Sequence, residues 1–313
     1  MPKFTIGADP EVFLETIKTN HIVPSQGRVL GTKTEPWLIP GYYSTPYGGK
    51  FATQRDNVAA EFNIPAVDRE TSFVNSIVHG KTMLLKSIPY AKRKNIQISR
   101  KSSALIDEKY LNNEEALNFG CEPDFNAWTI SENKIDRSAI DPRFRTAGGH
   151  VHVGYHQFSK NMNPVSLVRA MDLFLGVQSI FIDPDKERRT LYGKAGAYRP
   201  TDYGIEYRVL SNFWIHENKL IQWVFRQTER AFSFAKREQI QPDSTLGVAI
   251  QKAINESDED AANYVFSEVP SARYPFPGTN KPDLIAPAGD SSASTWDSNT
   301  TWYTVTTTVT LDA

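Results

Sequence analysis

Hydrophobic positions recur along this chain with two periods, and the alternation between them marks out the elements. In 57–65, NVAAEFNIP, Val58, Ala60 and Phe62 alternate with Ala59, Glu61 and Asn63, which is the period of a strand with Glu61 opposite the phenylalanine. Segment 146–154, TAGGHVHVG, behaves alike: His150 and His152 share one face, and Val151 and Val153 share the other. Gly148, Gly149 and Gly154 leave room there for a close approach by backbone or ligand. In 204–214, read as a further strand, Ile205, Tyr207 and Val209 alternate with Glu206 and Arg208. Residues 4–15 read as a strand interrupted at Gly7 and Pro10, so Asp9 and Glu11 are offered at an irregularity rather than on a regular wet face. In 120–128, GCEPDFNAW, Glu122 and Asp124 fall two apart and share a face if the segment is extended.

The longer period belongs to helices. Phe73, Val74, Ile77, Val78, Leu84, Leu85 and Ile88 form one stripe, with Thr71 or Ser72 as the cap. Asn163 and Pro164 make an N-cap and first turn for VSLVRAMDLFLGVQSIFI, whose apolar circumference predicts burial. A long helix over 217–237, one or two shorter ones in 245–267, and a short helical or irregular piece at 112–119 complete the set. Residues 20–56, rich in Gly, Pro and Tyr, predict hairpins and long loops. Strands in separated groups, without βαβ alternation, predict an α+β fold with a mainly antiparallel sheet packed against helices. At Pro270 the composition turns to Ser and Thr, which predicts a folded region 1–269 and an extended or disordered tail 270–313 with some edge-strand propensity near its end.

Composition narrows the functional classes. A chain of 313 residues, 40% hydrophobic and 23% charged, can bury a sizeable core. A net charge of −1 argues against a general nucleic-acid binder, and no apolar run among these segments predicts a membrane span. The single cysteine, Cys121, excludes an intramolecular disulfide and reads as a small buried hydrophobe rather than a nucleophile. With no signal-peptide pattern at the start, the expected compartment is the cytoplasm.

The polar strand faces gather carboxylates and imidazoles: Asp9 and Glu11, Glu61, Glu122 and Asp124, His150 and His152, and Glu206 beside Arg208. Side by side such carboxylates repel, and Mg2+ or Mn2+ are natural occupants of an oxygen-rich site with one or two imidazoles. The basic segment 186–199, KERRTLYGKAGAYR, sets Arg188, Arg189, Lys194 and Arg199 around two glycines and leads towards Arg208. Arg and Lys next to a carboxylate wall suit a polyphosphate, so a metal-bound nucleotide is expected.

The motifs GADPE, EFN, GCEPDFNAW, RTAGGHVHVG, RRTLYGKAGAYR and EYRVLSNFW, in this order over 3–240, resemble the phage-associated carboxylate–amine ligases (COOH–NH2 ligase type 2, amidoligases) of the glutamine synthetase and glutamate–cysteine ligase superfamily. The resemblance implies the curved, mainly antiparallel sheet of a glutamine synthetase catalytic domain. It also implies a metal set of Glu11, Glu61, Glu122 or Asp124, His152 and Glu206. Arg188, Arg189, Lys194, Arg199 and Arg208 would contact the nucleotide phosphates, and Glu61, Arg208 and His150 would act in catalysis. Where glutamine synthetases carry Glu-x-Glu on the first strand, this chain has Asp9-Pro10-Glu11. The implied reaction joins a small-molecule or peptide carboxylate to an amine through an acyl phosphate, using ATP and Mg2+ or Mn2+, in the cytoplasm (of the host, for a phage protein). A homo-oligomer is compatible with this reading. The alternatives are a metal-dependent hydrolase, which would not need the arginines, another nucleotide-dependent enzyme, and an inactive ligase-derived scaffold, which would not need an intact ligand set.

Overall fold

The computed structural model describes residues 4–39, 45–112, 124–133 and 140–275. Its first half supplies strands Thr5–Ala8 (β1), Glu11–Val12 (β2), Leu14–Thr16 (β3), Ile22–Val23 (β4), Trp37–Leu38 (β5), Ala52–Asp56 (β6) and Ala59–Val67 (β7). Then come Ile96–Ile98 (β8), Ser103–Leu105 (β9), Phe125–Asn126 (β10), Ser131–Glu132 (β11), Phe144–Thr146 (β12), Val151–Gly154 (β13), Ala197–Thr201 (β14) and Gly204–Tyr207 (β15). The large sheet has the order β11-β10-β14-β15-β13-β1-β7-β6-β5, with β2 joined to β7, and its described pairs are all antiparallel. The expected α+β class is therefore the observed one.

Pattern and local chemistry account for most elements. The 4–15 segment breaks into β1, β2 and β3 on either side of Pro10, as its sequence predicts. Asp56 pairs with Ala59 across a tight turn in which Asn57 takes a positive φ of 55°, a conformation asparagine tolerates. Pro65 lies where the register of β7 against β1 slips, between Ala8↔Ile64 and Ile6↔Val67, so its missing N–H costs no regular ladder bond.

Helices cover the apolar side of the sheet. Glu70–Ser87 (α1) presses onto β7 at Gly80, where an added Cβ would lie 2.4 Å from the Phe62 ring. Pro164–Ile182 (α2) is long and apolar enough to cross a membrane, yet 78% of it is buried within the fold, where it reads as a core helix. Asn163 caps it as expected, accepting from Ser166 N. A short helix Arg188–Leu191 (α3), then Asn218–Ala235 (α4), Thr245–Glu256 (α5) and Glu259–Glu268 (α6), complete the layer.

Several expectations need correction. Helix α1 begins at Glu70, preceded by an extended Arg69 with no side-chain cap, so neither Thr71 nor Ser72 is the cap. Within α2, Asp172–Gly176 widens into a π turn. The strand expected over 204–214 ends at Tyr207. Ser211 accepts from Phe213 N and starts a 3₁₀ turn, Asn212–His216, that tucks Trp214 beneath Phe73 with rings 5.8 Å apart. Packing also continues past 269: Gln227 donates to Ala272 O at 3.1 Å, and Gln178 accepts from Tyr274 N at 2.7 Å. The expected piece at 113–119, Cys121, Glu122 and the chain from 276 lie outside the described residues.

Candidate active site

Register alone collects much of the site. Across four neighbouring strands, Gly7 stands opposite His152, His152 opposite Glu206, and Glu206 opposite Arg199, while on the next strand, β7, Glu61 stands opposite Glu11 of β2 on one side and Gln54 of β6 on the other. Because side chains alternate along a strand, each row presents one set of groups to one face. Glycine shapes the entrance to β13. A Cβ on Gly148 would fall 2.3 Å from His150 Nε2, and one on Gly149 would meet Ser211 O and Trp214 Nε1 at 2.4 Å.

The first group is Asp9, His150 and Glu206, each with a ligand-type atom within 4.8 Å of the others. His150 Nδ1 lies 3.3 Å from Glu206 and 3.5 Å from Asp9, and His152 Nε2 lies 3.0 Å from Asp9 Oδ1. Burial works to raise the Asp9 pKa, but the charge of His152 and the contacts with both imidazoles outweigh it, so the carboxyl is held well below the usual range. His152 is moved up: burial opposes its charged form, and Asp9 and Glu206 more than compensate.

The second group is Glu11, Asp56 and Glu61, again within 4.8 Å of one another. Glu11 is fixed at both ends of its residue, since Gly148 N donates to its Oε2 at 2.7 Å and Asn212 donates to its carbonyl at 2.9 Å. Gln54 donates to Glu61 Oε1 at 2.9 Å. Burial first, then the charges of Asp9, Asp56 and Glu11, push Glu61 well above its ordinary range. Burial and Glu11 push Asp56 up to about 7 against the partial relief of Lys33. Asp9 acts on both Glu61 and Asp56, so the two groups adjoin each other electrostatically.

Cations flank the first group. Arg199 reaches Glu206 Oε2 at 3.2 Å, and Arg208 pairs with Glu206 Oε1 while its Nε stands 3.5 Å from Asp124. Arg199 and Arg208 thus sit where the sequence pattern expects them. Arg188 is equally buried, but it donates to the carbonyls of Val209 at 2.9 Å and Arg208 at 3.3 Å, and so braces the end of β15. Arg189 faces the helical layer instead, donating to Ser179 at 2.8 Å with Asp183 3.5 Å away. Lys194 has Glu256 of α5 as its opposing charge, apart from either acidic group.

Glu11, Glu61 and Glu206 therefore enter the two groups as expected. His150 takes the place in the first group that the sequence reading gave to His152, which instead closes on Asp9. Asp124 is the counter-ion of Arg208 rather than a member of either group. Asp9 and Asp56 are the additions. Asp9 is hidden in the sequence by the proline beside it, and Asp56 by the Asp-Asn turn in which it stands, where an aspartate usually serves the turn.

The donor set fits divalent cations. Asp9 Oδ1 and His152 Nε2 are buried and 3.0 Å apart, yet neither has an aligned hydrogen bond among the described residues. Two such groups facing one space, beside three crowded carboxylates, are relieved by a cation between them. Asp9, His150 and Glu206 would hold one ion, and Glu11, Asp56 and Glu61 another.

Residues 139–278 match the family described as phage phiEco32-like COOH.NH2 ligase type 2. The match spans β12 to α6, carries His150, His152, Glu206 and Arg208, and bears out the resemblance read from the motifs; it also runs beyond Pro270. A solved structure described as a novel glutamine synthase homolog aligns over 86% of this chain at 10% identity with a TM-score of 0.35, and the chain spans 64% of that structure's length. A search of curated proteins returns no match.

Proposed function

We propose that this protein is an ATP-dependent carboxylate–amine ligase that forms an amide or peptide bond through an acyl phosphate. The observation that carries the reading is the pair of adjoining acidic groups, one of them flanked by Arg199 and Arg208, with His150, Glu206 and both arginines inside the stretch that matches a carboxylate–amine ligase family. Divalent ions, held by Asp9, His150 and Glu206 and by Glu11, Asp56 and Glu61, would offset the negative charge of the nucleotide and of the transferring phosphoryl group.

The chain's own residues supply the remainder. Arg208 and Arg199, fixed against Glu206, would steady the γ-phosphoryl group as it passes to a substrate carboxylate oxygen, with the bond to ADP breaking. The amine then attacks the acyl carbon and inorganic phosphate leaves. A carboxylate of the site that is not on a metal would accept the proton that the amine nitrogen loses. Small-molecule or peptide carboxylates and amines are the expected substrates, and the ATP requirement suits the cytoplasm. A metal-dependent hydrolase could use the acidic groups, but it would have no need of two arginines locked onto one ligand carboxylate.

The test is to incubate the protein with Mg–ATP and a panel of amino acids and short peptides, following ADP release and condensed products by mass spectrometry. Substrate-dependent ADP together with a product lighter by one water than its two components is expected. Hydrolysis of a substrate without ATP would favour the hydrolase instead.

A further inference from the structure

The Ser-Asn pair that follows β15 belongs to the motif EYRVLSNFW, yet the reaction scheme gives it no part. Both residues are buried, and Asn212 is fully enclosed. Its place is set by an irregularity in the ladder between β1 and β13. These strands pair antiparallel, with Gly7 opposite His152 and Ala8 opposite Val151, and the same register carried past β1 brings Glu11 to Gly148. A hydrogen-bonded antiparallel pair exchanges two bonds, each residue's N–H reaching the other's C=O. Here half of the exchange is made, since Glu11 N donates to Gly148 O at 2.9 Å. The return bond is replaced. Gly148 N donates to the Glu11 carboxylate, at Oε2, over 2.7 Å, and the Glu11 carbonyl accepts from Asn212 Nδ2 at 2.9 Å. A side-chain amide stands in for a backbone donor, and that donor is left for a carboxylate.

The other end of the Asn212 amide fixes which way it faces. The Ser102 hydroxyl donates to Asn212 Oδ1 at 2.8 Å, which turns Nδ2 to the Glu11 carbonyl; the reversed amide would set oxygen against oxygen. Ser102 is held in turn, because its carbonyl accepts from Ala147 N at 2.8 Å. The backbone beside Asn212 is tied to the same place: Ser211 bridges to Gly148, and Gly149 N donates to Leu210 O at 3.0 Å. Asn212 thus reaches Glu11 from the end of the strand that carries Glu206, and joins the two acidic groups through buried polar contacts.

We infer that Asn212 is a positioning residue for the second acidic group: by taking the Glu11 carbonyl it leaves the Gly148 amide to hold the Glu11 carboxylate beside Asp56 and Glu61 for a divalent cation. The inference rests on the metal reading above. Without the Asn212 donor, the Gly148 N–H returns to the Glu11 carbonyl and the carboxylate is released. Loss of a group that orients a ligand in this way typically weakens metal binding by about 10–100-fold.

The experiment uses the full chain and two readouts independent of turnover. The first is the Gly148 amide resonance of metal-free protein. Glu11→Ala should move it strongly in the native background, and far less in an Asn212→Leu background, where the N–H has already gone back to the backbone. The second is Mn2+ titration followed by electron paramagnetic resonance. Native protein should take up one ion at each of the two groups. Asn212→Leu, close in volume but without a donor, should weaken one of them by about 10–100-fold and leave the ion of Asp9, His150 and Glu206 at native affinity. Should Asn212→Leu fail to fold, Ser102→Ala, which keeps the amide but lets it turn over, should give the same selective loss to a smaller degree. An equal Gly148 response in both backgrounds, native binding of both ions by the variants, or equal weakening of both ions overturns the assignment. Native protein that takes up fewer than two Mn2+ ions overturns the metal reading instead, while the Gly148 comparison still decides what Asn212 does to Glu11.

Discussion

Arg208 joins two carboxylates of the site, paired with Glu206 and 3.5 Å from Asp124. Replacing it with alanine should cost about 1.5–3 kcal/mol of transition-state stabilisation, roughly one to two decades in ATP turnover, because a charge-assisted contact is lost. Steady-state kinetics beside a thermal melt check this, and near-native turnover in a folded variant would remove Arg208 from the mechanism. Gly148→Ala tests the other flank. Its Cβ would overlap His150 Nε2, so it should displace the imidazole and raise the Mn2+ concentration needed for half-saturation. At His216 the outcome concerns stability. Burial, with Lys81 and Arg100, pushes its pKa down to about 3, so the unfolded chain takes up a proton near pH 6.5 that the folded chain refuses. Its contribution is therefore present above pH 6.5 and is lost as pH falls towards 3. Denaturant melts at pH 7.5 and 5 should show His216→Gln losing less stability on acidification than the native protein, by about 1–2 kcal/mol. Individual residues were readable in sequence where a motif isolated them, as with Glu206 and Arg208. Asp56 was not, because a turn aspartate and a ligand aspartate look alike until a partner strand brings Glu11 and Glu61 beside it.

Among elements, α2 holds a polar junction that its apolar sequence conceals. Asp172, fully buried at the start of the π turn, accepts from Trp128 Nε1 and Gly196 N, each at 2.6 Å, and from Tyr207 Oη at 2.7 Å. These donors come from the turn after β10, from the loop before β14 and from β15, so one carboxyl ties the helical layer to the strands that carry Arg199 and Glu206. Burial nevertheless pushes Asp172 up to about 7. Asp172→Asn keeps the volume but gives up one acceptor oxygen, and should destabilise the fold by about 1–3 kcal/mol, seen as a lower melting temperature. An unchanged melt would show that the junction contributes nothing. Strand β15 illustrates the limit of a periodic reading. Alternation placed Glu206 and Arg208 on one face correctly, but it continued on paper to Trp214, whereas Ser211 turns the backbone so that Trp214 can fill the space beside Phe73. Periodicity records which side of an element is apolar. It does not record where a neighbouring layer needs the chain to bend.

For the whole molecule, the proposed boundary of the catalytic region shifts from 269 to beyond Tyr274, which Gln178 and Arg226 hold by hydrogen bonds, and the family match runs to 278. Deleting 279–313 should leave melting temperature and ATP turnover near native values, whereas a cut after 269 should lower both; an inactive but stable long form would mean the removed segment completes the site. The sequence by itself determined the α+β class, the antiparallel sheet under helices and the individual polar strand faces, because these follow from periods of two and 3.6 and from turn chemistry that acts within a few residues. Only the tertiary structure decided which charges meet. Asp9 and Glu206 are far apart in sequence, and Arg199 and Arg189 are alike as residues on one basic segment. The order β14-β15-β13-β1-β7 sets the first pair around His150, turns Arg199 onto Glu206 and sends Arg189 to Asp183. Strand order and register are long-range quantities, fixed by packing of the whole core, and no local pattern carries them.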